Sequence, residues 1–346
     1  MSIKLCVSLY SFQEDYYIGK RDLESCIAAV GNKGIGADGI EVLLEQMPLP
    51  SMREDNRVIS GQDLDLWQGW LQKHGVAAQS FGADVFTTMY SNRYLTERES
   101  IKITMADIRM AAQLGFKVYR TGVFRKEDVG ILAACLPLAE DLGIQIATEI
   151  HTPRGIHTWW TQDWLEVVLR SGSPAAGFVP DLAIFAKGLS ISAQNRLIRD
   201  GANPDILAKI DEAYRAHSPL SIDEVKKMGG NTADCSAVGK LNFFIYDDPQ
   251  WLKEVLPYSK HIHGKFYEMA NVNGEDIEPA IDYENAIKVL AENNWDGYIS
   301  SEYEGQRDYF EQGCDIYMDP MDQVSRHHKM IRHFEAKAKN NINKER

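Results

Sequence analysis

Short apolar runs alternate with amphipathic stretches along most of the chain. The runs are Leu5–Leu9 (LCVSL), Gly39–Leu43 (GIEVL), Val76–Phe81, Lys117–Thr121, Ile144–Glu149, Gly177–Asp181, His261–Phe266 and Tyr298–Glu302. Each has strand length and is bounded by turn residues. The stretches between them predict helices over Asp22–Val30, Gln62–His74, Glu97–Leu114, Glu127–Leu142, Thr161–Arg170 and Tyr283–Glu292. Three of these helices run into Gly75, Gly115 and Gly143, each followed at once by a strand. Glycine ends a helix where the backbone turns left-handed. Thr161 is placed to cap its helix and Pro137 to kink the helix that contains it. Eight strands with intervening helices predict an α/β fold, a (β/α)8 TIM barrel, over an open doubly wound sheet. The stretch SLYSFQEDYY around the end of the first strand holds no G-x-G-x-x-G. The GNKGIG segment precedes the second strand, the wrong place for a phosphate cradle.

One connection is too long for a βα unit. About 80 residues separate Asp181 from His261, against the few that such loops normally need. Helical patterns over Pro204–His217 and Ile222–Met228 and an apolar stretch Leu241–Tyr246 lie within it. The expectation is a single barrel domain over residues 1–346, with an insertion at about 186–257 on the face where barrel enzymes keep their active sites. A tail at about 315–346 is expected to carry one helix, Met321–Ala338, and a frayed basic end. With 346 residues, 44% of them hydrophobic, the chain has material for one large barrel.

Charge and cysteine content narrow the function classes. The net charge of −13 opposes binding to a phosphate backbone or an anionic lipid surface, so neither nucleic acid nor membrane is an expected partner. No apolar run is long enough to span a bilayer. Cys6, Cys26, Cys135, Cys235 and Cys314 have no metal-ligand spacing and read as buried free thiols in a reducing, cytoplasmic setting. The start MSIKLCVSLYS has no signal-peptide pattern.

Barrel active sites lie at the C-terminal ends of the strands. Four consecutive strands end in or carry ionisable groups there: Glu149, Asp181, His263 and Glu302. Carboxylate oxygens with one imidazole suit Mn²⁺, Mg²⁺, Co²⁺ or Fe²⁺ and leave positions open for substrate oxygens. Asp181 also stands where it would cap the following turn. His261, His263 and Lys265 alternate along one strand face, so facing does not separate the two histidines, although His263 lies nearer the C-terminal end. Glu41 on the second strand, with Arg154 and His151 after the fifth, completes the candidate set. Arg120 and Arg154 are the candidates for an anionic substrate group. His157 and the tryptophans Trp159, Trp160 and Trp164 are more simply solvated or packed, with stacking on a glycoside as the functional alternative.

The strings GIEVL, TEIH, PDLAIF, HIHGKF and WDGYISSEYEG resemble the xylose-isomerase-like superfamily of sugar phosphate isomerases and epimerases from strand one to strand eight. The resemblance implies that Glu149, Asp181, His263 and Glu302 hold one divalent metal, with the second histidine of H-x-H as ligand, and that Lys265 and His261 lie by the substrate. Within it, SLYSFQEDYY, DGIEVLLEQMP and EIHTP followed by a tryptophan-rich loop are similar to the α subunit of C-glycoside deglycosidases. That similarity implies Mn²⁺, a small β subunit forming a hetero-oligomer, and a 3-oxo-glycoside substrate whose sugar is carbon-linked to its aglycone. It further implies His151 as the base.

Removal of a proton α to a sugar carbonyl is common to every member. Loss of a β leaving group then makes a lyase. Reprotonation makes a ketose 3-epimerase or a sugar (phosphate) isomerase using Glu149 and Glu302, and dehydration makes an inosose dehydratase. A DNA-cleaving trizinc barrel would need further ligands that no motif supplies. An oxidoreductase would need a dinucleotide motif. The remaining class is a non-catalytic interaction subunit with vestigial strand-end residues.

Overall fold

A computed structural model describes residues 2–47, 49, 58–85, 91–310 and 314–345. Pro48, which closes DGIEVLLEQMP, lies outside them. The barrel strands are β1 Lys4–Ser8, β2 Gly39–Leu43, β3 Ala77–Gly82, β4 Val118–Thr121, β5 Gln145–Ile150, β6 Ala176–Pro180, β7 His261–Phe266 and β8 Tyr298–Tyr303. Their ends fall within a residue of the ranges that the apolar pattern predicts. All pair in parallel, in the order β6-β5-β4-β3-β2-β1-β8-β7. An isolated parallel bridge between Asp181 and His263 joins the two ends of that order and closes the barrel. The seam of the barrel is therefore made by two of the candidate ligands.

The helices pack outside the strands through apolar faces that include Ile27, Val30, Ile108 and Leu132, all buried. Gly75 and Gly143 end their helices at φ of +68° and +66°, where a β-carbon would be strained. The helix Lys126–Leu142 is continuous through Pro137. Thr161 does not cap its helix. That helix starts at Trp159 with Thr158 at the cap, and the Thr161 hydroxyl, one turn in, donates to the Gly155 carbonyl at 2.8 Å. Trp67 and Trp164 are fully buried and donate their indole N–H to the Leu114 and Gly177 carbonyls at 2.9 and 2.8 Å.

The long β6–β7 connection folds into the helices Ile191–Arg199, Pro204–Arg215, Ile222–Lys227 and Thr232–Phe243. These close over a small apolar cluster of their own, with Leu207, Ile210, Val225 and Leu241 at its centre. The apolar stretch 241–246 is the end of the last helix followed by extended chain, in which Tyr246 bridges to Phe185 beside β6. A hairpin of three-residue strands, Ala270–Val272 and Glu275–Ile277, follows β7. Strands that short leave no periodic trace in the sequence.

The tail differs from expectation. Its helix runs from Pro320 to Glu345, so the basic end is helical and not frayed. Lysines in a last helical turn complement the helix dipole. His327 of this helix stacks on Phe266 with ring centroids 4.2 Å apart and hydrogen-bonds Ser301 at 2.8 Å, which docks the tail against β7 and β8. All five cysteines are free, but only Cys6, Cys26 and Cys135 are buried; Cys235 and Cys314 are half-exposed.

Candidate metal centre and pocket

At the C-terminal ends of the strands lies a cavity of about 470 Å³, within the range of small-molecule sites. Strand alternation directs Glu149 (β5) and Lys265 (β7) into the lumen. β8 sends Glu302 inward beside them, in register with Lys265. Asp181 joins them from the turn after β6. One ligand atom each from Glu149, Asp181, His263 and Glu302 lies within 4.8 Å of the others. Asp181 serves both readings that its position allowed. Its Oδ1 accepts from the Ala183 N–H at 2.8 Å and caps the turn, while Oδ2 faces the cluster, 3.1 Å from Lys265 Nζ.

His263 joins two layers of the barrel. Its Nδ1 lies 2.8 Å from Glu149 and 3.5 Å from Glu302, and its Nε2 lies 2.8 Å from Glu41. An ionised Glu41 accepts from Nε2–H, which leaves Nδ1 as the nitrogen that faces the carboxylates. Carboxylate–histidine pairs of this kind orient metal ligands in many proteins.

The charge balance is informative. Burial alone would push Glu149 up, but Arg120 and His263 hold it well below the usual carboxylate range. Burial opposes ionisation of Glu302 too, and Lys265 and His263 hold it down at about 2. Burial would lower His263, yet Glu41, Glu302 and Glu149 keep its imidazolium stable. The carboxylates Glu41, Glu149, Asp181 and Glu302 thus face three cationic groups, the Arg120 guanidinium, the protonated His263 and the Lys265 ammonium. Even so, Asp181 Oδ2, Glu302 Oε2 and His263 Nδ1 are buried without a well-oriented hydrogen bond. Orphaned acceptors aimed at one point, from hard oxygen and imidazole donors, fit a divalent cation that displaces the histidine proton.

His151 stands at the upper edge of this cluster, its Nε2 2.9 Å from Lys265 Nζ and 3.9 Å from Asp181. Burial and the Lys265 charge hold its pKa below the ordinary 6.5, so the imidazole is neutral at pH 7. Lys265 also approaches Glu304 at 3.4 Å, and burial pushes Glu304 up to about 7 against the pull of that ammonium.

Two candidate substrate contacts need correction. Glu41 and His261 are 0% exposed and lie beneath the cluster, outside the pocket, with His261 Nε2 3.1 Å from Glu41. As placed, Glu41 contacts both histidines, and neither Glu41 nor His261 is among the residues lining this pocket. The histidines separate by depth because three alternate residues of one strand stack at rising height in a barrel. Arg120 is no free anion site either: it donates to Glu149 at 2.8 Å and sits 3.7 Å from Glu41. Arg154 does line the pocket. His157 pairs with Glu254 at 3.0 Å outside the pocket. Trp164 is core, and Trp159 stacks on Trp160 at 4.5 Å away from the pocket lining.

Sequence reasoning missed Tyr267, Asp84 and Arg307, which also line the cavity. It missed Glu278 as well, whose carboxylate accepts from the N–H groups of Tyr267, Glu268 and Ala280 and so fixes the chain beyond β7. Tyr267 directly follows β7 and was passed over because only His261, His263 and Lys265 were weighed on that strand; Asp84, Arg307 and Glu278 lie beyond the barrel-strand ends, and no motif marks them.

The Glu41 contact yields an expectation. Glu41→Gln removes the negative charge that favours Nε2–H on His263 and leaves an amide that can turn its donor or its weaker acceptor to the ring, so affinity for a divalent cation, probed with Mn²⁺, should drop roughly 10- to 100-fold with the fold kept. Titration with Mn²⁺, beside circular dichroism of the apo chain, checks this; unchanged affinity would remove Glu41 from any role toward the metal.

Similarity to known proteins agrees with this architecture. No family model matches the chain. The C-glycoside deglycosidase alpha subunit of Arthrobacter globiformis is 26% identical over 343 residues, covering 95% of this chain and 92% of the relative. The 3'-dehydrocarminate deglycosidase alpha subunit of a Microbacterium is 25% identical over 345 residues, covering 95% and 94%. An L-ribulose 3-epimerase structure superposes with a TM-score of 0.55 at 10% identity over 99% of this chain and 97% of that one. A xylose isomerase domain protein of Alicyclobacillus acidocaldarius superposes at 0.52 and 11% identity over 98% and 100%. The IOLI protein, solved with a bound zinc atom, superposes at 0.53 and 15% identity over 97% and 99%. The fold is the xylose-isomerase-like TIM barrel.

Proposed function

We propose that this chain is the α subunit of a C-glycoside deglycosidase, a lyase that breaks the carbon–carbon bond of a 3-oxo-C-glycoside by elimination. The observation that carries the reading is the pairing of four clustered side chains able to hold a metal with a neutral His151 at their edge, in a chain that matches a C-glycoside deglycosidase alpha subunit and a 3'-dehydrocarminate deglycosidase alpha subunit over nearly their full length. Glu149, Asp181, His263 and Glu302 would hold the ion, for which Mn²⁺ is preferred over Mg²⁺, Co²⁺ or Fe²⁺. When bound, it supplies electrophilic stabilisation of negative charge that develops on the sugar oxygens.

The chain's own groups then divide the work. The 3-oxo group acidifies C2–H, and the His151 imidazole takes that proton once substrate displaces the Lys265 ammonium from its Nε2. The C2–H electron pair becomes negative charge shared with the C3 oxygen. That pair then forms the C1–C2 double bond as the C1–aglycone bond breaks, and the electrons of that bond take up a proton at the aglycone carbon, delivered by water or by the His151 imidazolium formed in the first step. Lys265, now tied to Asp181, Glu302 and His151, contributes a fixed positive charge beside the reacting carbons. The word alpha in the relatives' names supports a second subunit as partner. No helix among the described residues is long and apolar enough to cross a membrane, and the free thiols support a cytoplasmic location.

The test is a mass-spectrometric assay in D₂O with Mn²⁺, a 3-oxo-C-glycoside and a set of ketoses, with and without a small partner subunit. Free aglycone, lost on chelation with EDTA and restored by Mn²⁺, is the expected result. Deuterium entering an intact ketose without aglycone release would replace this reading by epimerisation through Glu149 and Glu302.

A further inference from the structure

The pocket's cations are not equally engaged. Arg120 is bound to Glu149, Lys265 to Asp181, Glu302 and Glu304, and Arg307 to Glu304. Arg154 has no carboxylate within ion-pair distance among the described residues, Glu149 and Asp84 acting on it only from further off, and its Nε is buried without a hydrogen-bond partner. Its guanidinium carbon lies 4.6 Å over the Phe124 ring. That contact occupies one face of the planar group and leaves the donor edge open.

Its position is built. The Arg154 N–H donates to the His151 carbonyl at 2.8 Å, so the chain turns back over the pocket directly after His151. The Thr152 hydroxyl donates to the Phe243 carbonyl at 2.7 Å, and Asp247 accepts from the Ile156 N–H at 2.8 Å. The β5 loop is thereby tied to the end of the insertion, with Phe243 beside it at the pocket rim. Burial gives the depth scale. His263 and Asp181 are 0% exposed and Glu302 5%, whereas Phe124 and Phe243 are 49% and 51% exposed. A substrate with its sugar at the cluster has its other end at this rim.

Resting on the deglycosidase reading, we propose that Arg154, Phe124 and Phe243 form the aglycone subsite and select aromatic aglycones that carry an ionised oxygen. Two aromatic rings present apolar area to a planar ring system. An unpaired guanidinium edge donates two parallel hydrogen bonds to a carboxylate, or a charge-assisted one to a phenolate. A neutral aglycone leaves that buried donor unsatisfied, and hydrogen bonds to charged groups are the costly ones to lose.

A specificity matrix tests this. Aryl 3-oxo-C-glucosides bearing a ring carboxylate, its methyl ester, an acidic phenol or its methyl ether are compared, using the Mn²⁺-loaded chain with and without the partner subunit. The proteins are wild type, Arg154→Gln and Arg154→Lys. In Arg154→Gln, kcat/KM for the ionised members should fall roughly tenfold or more relative to their capped counterparts, chiefly through KM, and Arg154→Lys should recover part of it. The ionised member that loses more, carboxylate or phenol, identifies the anion. Equal losses across the matrix, or none, overturn the inference. If wild type releases no aglycone at all, the deglycosidase reading fails instead. The subsite is then judged by fluorescence titration with free hydroxybenzoate and its methyl ester. Roughly tenfold weaker hydroxybenzoate binding in Arg154→Gln, with the ester little changed, sustains it; equal Kd values for the two proteins sink it.

Discussion

Glu149→Gln should lower turnover by roughly 10³-fold or more and empty the metal site at micromolar Mn²⁺. The carboxylate is engaged on both oxygens: Oε2 accepts from Arg120 and Oε1 faces His263 Nδ1, each at 2.8 Å. A glutamine keeps the shape and removes the charge. Its amide nitrogen would then point a donor at one of two cations, and Arg120 and His263 would lose the counter-charge that keeps them stable in a buried site. The variant should bind less metal, measured on the purified chain after dialysis, and should be less stable to urea. Activity above about a tenth of wild type with metal retained would remove Glu149 from the ligand set. That outcome would count against the elimination and epimerisation readings together, since both need this side chain.

His151→Ala separates them. As the base of the elimination, His151 contributes a factor of roughly 10²–10⁴ in kcat. An epimerase that uses Glu149 and Glu302 should lose less than about tenfold, because His151 would only line its substrate. The imidazole is held below 6.5 by burial and by Lys265, so its neutral form predominates at pH 7. The sign follows: protonation removes the base, so kcat/KM should decline as pH falls through a pKa under 6.5, and that acid limb should vanish in the alanine variant. Metal binding should survive, since His151 is not one of the four clustered ligands. A His151→Ala enzyme with wild-type aglycone release and an unchanged acid limb would require another base, and Glu304, held up at about 7 beside Lys265, would be the next residue to replace.

Glu149 and Glu302 were legible in the sequence for a geometric reason, whereas His151 stood out as a base only through the resemblance carried by EIHTP. A parallel barrel strand buried on both faces has no ordinary place for a carboxylate, so the acid at the end of IQIATE and the one after ISS announce themselves against an apolar background. The glycine stops were legible for the same kind of local reason: Gly75 and Gly143 take the left-handed conformation that helix ends favour. Local rules failed where competing signals were equally local. Thr158 and Thr161 are both residue types that cap helices; the helix starts after Thr158, and both hydroxyls donate to the Gly155 carbonyl instead of capping an N–H.

What the amino-acid sequence determines by itself is the alternation of strands and helices, hence the parallel barrel, and the identity of the groups that stand at its C-terminal rim. Period and length encode those, because they depend on neighbours along the chain. Depth, pairing and vacancy were decided only by the tertiary structure. His261 and His263 share one strand face, yet one lies beneath with Glu41 and the other reaches Glu149, because β2 and β7 place their residues at different heights in the lumen. Arg120 in β4 and Arg154 after β5 read alike as candidates for an anionic group; one is bound to Glu149 and the other lies over Phe124. Such differences depend on which side chains close through space across the barrel, and a one-dimensional pattern carries no measure of that distance.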